Sequence, residues 1–174
     1  AQMPRIKGRG AIAEFEGKRH LAGAGIAVPE GGLAASLAEA RGIAAAIGYP
    51  VALKAQAAAL THKSDAGGVA LHIRDEQGLA QAWERMQASV ARAAPGLKLD
   101  GVLVEKMSAP GVELILGARR DPDWGVVLMA GLGGIWTEAQ NDVRIFSPDL
   151  SRDGIIDELS RLKGASVLAG ARGG

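Results

Sequence analysis

The stretch Gly48–Val69, GYPVALKAQAAALTHKSDAGGV, gathers residue types that could hold a phosphate. An apolar run ends in Lys54, a segment carrying Thr61, His62, Lys63, Ser64 and Asp65 follows, and Gly67-Gly68 precede a second apolar run. A lysine at the end of a buried strand offers a fixed ammonium, and a glycine turn bares backbone N–H groups. Together they suit a polyphosphate. His62 adds an imidazole, which titrates near neutrality and attacks phosphorus when one ring nitrogen is free. Each group also has a plainer account on spacing alone: Lys54 as a strand end reaching solvent, His62 as an exposed loop residue, the glycine pair as a hairpin turn. Asp65 either orients the imidazole or starts the glycine turn. His20 and His72 have no motif around them and read as surface or partly packed residues.

Helices and strands must position these groups. Ile12, Phe15, Arg19 and Leu21 lie loosely at helical spacing, which predicts a helix over Ala11–Leu21, stopped by Gly23 or Gly25. Ile26–Val28 reads as a short strand and Pro29–Gly32 as a turn. Ser36 and Glu39 make a capping box ahead of an alanine-rich helix to Ile47, with Gly48 as its left-handed stop and Pro50 preventing its return. Strands follow at Val51–Gln56 and Val69–Ile73. Asp75 caps a long helix through Leu79, Trp83, Met86 and Val90, which Pro95-Gly96 ends.

Beyond Asp100-Gly101 come the strands VLVEK and, past Pro110-Gly111, VELILGAR. Asp121-Pro122 makes a turn before a strand at Val126–Ala130. Gly131, Gly133 and Gly134 form a flexible corner, and Val143–Phe146 is one more strand. Asp153 caps a last amphipathic helix with Ile155, Ile156, Leu159 and Leu162 on its apolar face. The order predicts residues 1–10 as a linker or cut end, 11–100 as a first lobe with the phosphate loop, and 101–174 as a second lobe. The lobes meet near Leu99–Gly111, and a cleft between lobes is a common ligand site.

Bulk properties narrow the function classes. The 174 residues are 48% hydrophobic but only 3% aromatic, so the core must be built from Ala, Val, Leu and Ile. A net charge of +1 gives no basic field for a nucleic acid backbone, and few aromatics are present to stack on bases. With no cysteine, disulfide and thiolate chemistry are excluded and a reducing cytoplasm is allowed. Runs such as Val126–Trp136 are too short for a spanning helix and are broken by glycine, so no membrane association is expected.

Seven motifs in one order, IAVPEG, IGYPVALK, THKSDAGGV, DGVLVEKM, GVELILGARRDPDWG, GLGG and LAGARG, run from about Ala11 to Gly173. The set resembles the ATP-grasp segment of the nucleoside-diphosphate-forming acyl-CoA synthetases, the beta part of ADP-forming acetate:CoA ligases among them. The resemblance implies an α+β ATP-grasp fold, two lobes with mixed sheets flanked by helices, the second lobe incomplete. It also implies ATP or ADP between the lobes, Mg2+ on the phosphates, and interconversion of acid, CoA and ATP with acyl-CoA, ADP and phosphate through a phosphohistidine. CoA binding and acyl chemistry then belong to other domains of the enzyme or a partner subunit, in a cytoplasmic assembly that is oligomeric when intact.

Carried over by residue, Lys54 is similar to the strand lysine on the nucleotide phosphate, and His62 to the phosphoryl carrier. Gly67 and Gly68 match the phosphate loop. Glu105, with Lys106 and Met107, stands where the family binds adenine through backbone groups and a nearby carboxylate. Glu113 resembles the ribose-contacting glutamate, and Arg119 faces phosphate while Arg120 pairs with Asp121 at a turn. An alternating polar position on a half-exposed strand accounts for the two glutamates without any ligand. Asn141 departs from the lysine usual there, and the acidic E-L-D-I-N-P segment that holds Mg2+ has no counterpart before Gly174. No metal ligand is therefore assigned, and the isolated chain is expected to bind nucleotide weakly and turn over poorly. A regulatory, non-catalytic module of a protein acetyltransferase is the alternative.

Overall fold

Strand alternation decides what the first sheet shows to each side. The computed structural model describes residues 12–57, 66–134 and 142–170. The segment 1–10, His62 with its neighbours Thr61 to Asp65, Asn141 and Gly173 lie outside the described residues. The chain divides into two compact units, Ala1–Ser108 and Ala109–Gly174.

In the first unit β1 (Gly31–Ala34), β2 (Val51–Gln56), β3 (Val69–Ile73) and β4 (Gly101–Lys106) form a sheet in the order β1-β4-β2-β3. Every pairing is antiparallel, not mixed as expected. Val51, Leu53 and Ala55 of β2 and Val102 and Val104 of β4 alternate onto one face, and all are buried. That face is the core. It is closed by α2 (Leu37–Ile47), through Ala40 and Ala44, and by α3 (Glu76–Ala93), through Leu79, Ala82, Met86 and Val90. Each fully buried Leu or Met side chain contributes about 1.5–3 kcal/mol. Trp83, expected on the buried stripe of α3, packs only partly against the core, while its neighbour Ala82 is buried. β4 was expected to open the second lobe. It lies instead between β1 and β2 in the first sheet.

The opposite face carries Ala52, Lys54 and Gln56 of β2 beside Leu103 and Glu105 of β4, since Lys54 pairs with Leu103 and Ala52 with Glu105. Helix α1 (Glu14–Gly23) meets this face. Its N-cap, Ala13, has no side chain able to accept a hydrogen bond. The acceptor comes from the sheet: Phe15 N–H donates to Gln56 Oε1 at 3.0 Å. A fully buried amide, whose Nε2 donates to the Lys54 and Ala55 carbonyls, thus satisfies one of the orphan donors of the helix's first turn.

Several local expectations shift. The first strand is Gly31–Ala34, and Ile26–Val28 is irregular, with Ile26 exposed. Glycines 31 and 32 read as a turn locally, yet Gly31 pairs with Glu105, and a Cβ on it would lie 2.3 Å from the Val104 carbonyl oxygen. Ser36 accepts from Glu39 N–H as expected, but Glu39 reaches back to Ala35 N–H rather than to Ser36. Gly48 ends α2 with a positive φ of 75°, which glycine adopts readily, but its ψ of 149° lies outside the left-handed helical basin.

In the second unit β5 (Leu114–Asp121), β6 (Gly125–Leu132) and β7 (Val143–Phe146) form an antiparallel sheet in that order, followed by α4 (Arg152–Ser160) and the short α5 (Ala165–Leu168). Ser151, not Asp153, caps α4, accepting from Gly154 N–H at 3.2 Å. Asp153 then sits in the first turn, where a carboxylate suits the positive end of the helix dipole. Of its expected apolar face Ile156 is exposed, while Leu162, just past the helix, is buried.

Two substitutions test how α1 and β1 are seated. Gln56→Met keeps the volume but removes the acceptor, and should cost about 1–2 kcal/mol in urea unfolding. Gly31→Ala should cost about 1–3 kcal/mol by overpacking β1 against β4.

Candidate functional site

Glu105 is the other polar side chain buried among the described residues, at 3% exposure. A carboxylate so far from water needs countercharges, and two lysines provide them. Its Oε1 lies 2.5 Å from Lys18 Nζ and its Oε2 3.0 Å from Lys54 Nζ. Both ammoniums also reach one oxygen of Glu14, with Lys18 at 2.8 Å and Lys54 at 2.7 Å. The result is a closed ring, Glu14–Lys18–Glu105–Lys54, joining the first turn of α1 to the sheet. Lys54 comes from β2, Glu105 from β4, and Glu14 and Lys18 stand one helical turn apart on α1, so the four can meet.

Burial works to lower the pKa of Lys54, but its hydrogen bonds to Glu14 and Glu105 and their charges outweigh burial and hold it above its ordinary value. Lys54 is therefore an ammonium at neutral pH. It does not reach freely into solvent as a strand-end lysine would. Lys18 and Glu14 were not singled out from sequence. The signal available was the E-x-x-x-K spacing at the start of a helix, which is common on solvated helix faces and becomes informative only once a buried carboxylate lies opposite.

The other expected residues of this unit fall nearby or apart. Lys106 Nζ donates to the Gly48 and Tyr49 carbonyls at 2.9 and 3.2 Å, binding the end of α2, and Met107 N–H donates to the Pro50 carbonyl at 3.1 Å. Gly67 has φ 67°, and a Cβ there would meet Ser89 Cβ at 2.7 Å, so close packing on α3 demands glycine at that position. Gly68 is buried, and its carbonyl accepts from Ala55 N–H at 2.7 Å, tying the glycine pair to the strand that carries Lys54.

The second unit has its own constellation. Gly133 N–H donates to the Glu113 carbonyl at 2.7 Å, and a Cβ on Gly134, at φ 66°, would lie 3.2 Å from Glu113 Oε2. The glycines let the end of β6 close on the glutamate just before β5. A concavity of about 420 Å3 beside them is lined by Gly111, Glu113, Leu132 and Gly134 among others. Asp142 braces this corner, accepting from Lys163 and Gly164 N–H at 2.9 Å each. Those bonds, from Gly164 first and Lys163 second, hold its carboxyl pKa below the usual carboxylate value.

Arg119 does not join Glu113. It lies six residues along, about 20 Å at the rise of an extended strand. There it pairs with Asp121 at 2.8 Å, the partner expected for Arg120. A larger concavity of about 730 Å3 lies at that end of the sheet. Its walls are mostly apolar, among them Trp124, Val127, Met129 and Ile145, and its Arg119 is already paired with its Asp121, so size alone does not make it the chemical site.

Among the described residues no three or more His, Cys, Asp or Glu side chains meet in a metal-holding group. Nor is any helix among them long and apolar enough to cross a membrane.

Because the folded-state pKa of Asp142 is depressed, its contribution to stability is present above the unfolded value of about 3.9 and is lost as pH falls through the folded one. Urea unfolding of Asp142→Asn against wild type should show a deficit at pH 7 that shrinks progressively as pH falls below the ordinary carboxylate range.

A family model described as an ATP-grasp domain matches residues 5–174. The chain is 44% identical over 164 residues to a trans-feruloyl-CoA synthase from an unknown prokaryotic organism, covering 94% of this chain and 23% of that one. It is 38% identical over 167 residues to the beta subunit of the ADP-forming acetate–CoA ligase II of Pyrococcus furiosus, covering 96% and 71%. The solved dinucleotide-forming acetyl-coenzyme A synthetase 1 of Ca. Korarchaeum cryptofilum, in complex with coenzyme A, Ca-AMPCP and HgCl+, superposes with a TM-score of 0.91 at 37% identity over 95% of this chain and 72% of that one. A second structure of that synthetase, with coenzyme A and Mg-AMPPCP and with its phosphohistidine segment pointing towards the nucleotide binding site, gives 0.77 at 33%, over 95% and 70%. The chain thus spans about a quarter of the first relative and some seven-tenths of the others. With the sheets, the capped helices and the family model agreeing over nearly its whole length, the chain belongs to the ATP-grasp domain family.

Proposed function

We propose that this chain is the nucleotide-binding and phosphoryl-transfer part of an acyl-CoA synthetase that forms ADP and phosphate from ATP while joining an acid to CoA. The observation that carries the reading is the convergence of Lys54, Lys18 and the buried Glu105 on one sheet face in a chain of this family. Phosphoryl transfer depends on positioning and on neutralising phosphate charge, and a lysine kept cationic on a rigid strand suits both. In this reading Lys54 contacts a nucleotide phosphate, Gly67 and Gly68 shape the loop beside it, and Glu105 with Met107 serves the base. Glu113, held against its glycine corner, serves the ribose, while Arg119, six residues further along and paired with Asp121, is left out of the nucleotide site. His62 takes up the phosphoryl group, supported by the phosphohistidine segment of the Korarchaeum relative. ATP and ADP are the nucleotides, Mg2+ rides on their phosphates with ligands supplied from outside the described residues, and CoA binds in partner domains of an oligomeric assembly.

The relatives named above are CoA synthases and ligases, which favours this reading over a regulatory module.

Calorimetric titration with ATP and Mg2+ tests the phosphate seat. Lys54→Ala should weaken binding at least tenfold, as loss of a charge-assisted hydrogen bond does, and an unchanged affinity overturns the assignment of Lys54. In the complete ligase, His62→Asn should abolish transfer of the terminal phosphate of ATP, and retained turnover removes His62 from that role.

A further inference from the structure

The ring around Lys54 has two unlike carboxylates. Glu105 rises from the sheet, nearly inaccessible, with each oxygen on a different lysine. Glu14 belongs to the first turn of α1, is 28% exposed, and presents a single oxygen, Oε1, to both ammoniums at 2.7 and 2.8 Å. One anionic oxygen bridging two lysine nitrogens is also how a phosphate oxygen is held between two cations.

We propose that Glu14 is a built-in stand-in for phosphate: an incoming nucleotide phosphate displaces its carboxylate and is then held by Lys54 and Lys18 together. The inference rests on the nucleotide reading above and adds to it Lys18, as a second phosphate-contacting cation, and Glu14, as the group that vacates the seat. Glu105 cannot play the displaced part, because moving it would strand a buried carboxylate or tear its strand from the sheet. Glu14 stands at the more accessible side of the ring, at 28% exposure, so its carboxylate can be solvated when it gives up the seat.

Charge makes the exchange conditional. The ring holds two cations and two anions. If Glu14 left alone, two ammoniums would face one carboxylate in a poorly solvated place, so the seat opens only as another anion fills it. A phosphate carries more charge than a carboxylate and more oxygens to share between the lysines, and the N-terminal end of α1 adds a favourable dipole. Until then the ring keeps Lys54 and Lys18 aimed at the seat and leaves neither charge unpaired.

The test is a titration of the 174-residue chain with ATP and with inorganic tripolyphosphate, adenosine serving as the phosphate-free control, followed by 15N–1H NMR, which reads millimolar affinities. Thermal midpoints are measured on the same samples. Glu14→Gln should tighten both polyphosphates about fivefold while lowering the thermal midpoint, and Lys18→Met should weaken both about tenfold with adenosine unaffected. Lys18→Arg, which keeps the charge, should restore most of that loss. A ring that is only structural predicts instead that Glu14→Gln lowers stability without any gain in affinity. That result, or Lys18→Met binding polyphosphate like wild type while Lys54→Met does not, overturns the proposal and leaves the nucleotide reading standing. If Lys54→Met also binds like wild type, or wild type binds neither polyphosphate, the nucleotide reading falls and the proposal with it.

Discussion

A buried carboxylate on the non-core face of the first sheet sets the terms for everything around it. Glu105 sits in β4 between two strands, and the penalty for keeping its charge away from water is met only by cations brought to both of its oxygens. Lys54 arrives by strand pairing and Lys18 by the docking of α1. The docking in turn relies on Gln56, which caps the helix from the sheet, and β1 can lie against Glu105 because residue 31 has no side chain. Remove either lysine and the carboxylate is left with half its compensation, while the cap and the glycine keep the helix and the strand in the positions that hold the lysines there.

The two faces of this sheet divide the labour. One is hydrophobic and closed by α2 and α3, which fixes the strands rigidly. The other holds the polar groups at positions that differ by single steps of the same strands: Leu53 and Ala55 inward, Lys54 and Gln56 outward. A lysine mounted this way has its backbone fixed by the core and its side chain by the ring, leaving little conformational entropy to lose on meeting an anion. In the second unit the same economy appears differently. Glu113 is exposed and owes its position to glycines at the end of β6 that let two backbone segments approach more closely than any side chain would permit, with Asp142 bracing the far side through backbone N–H groups.

Secondary structure was legible wherever local physics decided it. The spans Val51–Gln56, Val69–Ile73 and Val143–Phe146 follow from β-branched and apolar runs between breakers, and α3 from an apolar stripe with an aspartate ahead of it. Misreadings occurred where a distant strand partner, the exact start of a helix or the alternation of a strand overrode the first local signal. Gly31-Gly32 looked like a turn and became a strand because β4 offers hydrogen bonds there. Asp153 looked like a cap, but Ser151 lay where the helix actually starts. Arg120 looked like the partner of Asp121, yet on a strand it is Arg119, two residues away, that shares its face.

By itself the sequence determined the element order, the apolar patterning, the family to which the chain belongs and Lys54, Glu105 and Glu113 as polar positions of note, because these depend on residue type and short-range spacing. Tertiary structure alone decided that Lys54 and Glu105 are partners, that Glu14 and Lys18 complete their ring, and that Gln56 caps a helix some forty residues away in the chain. Electrostatic compensation acts through space at about 3 Å, and strand register and helix docking, which bring these groups within that range, are properties of the folded chain.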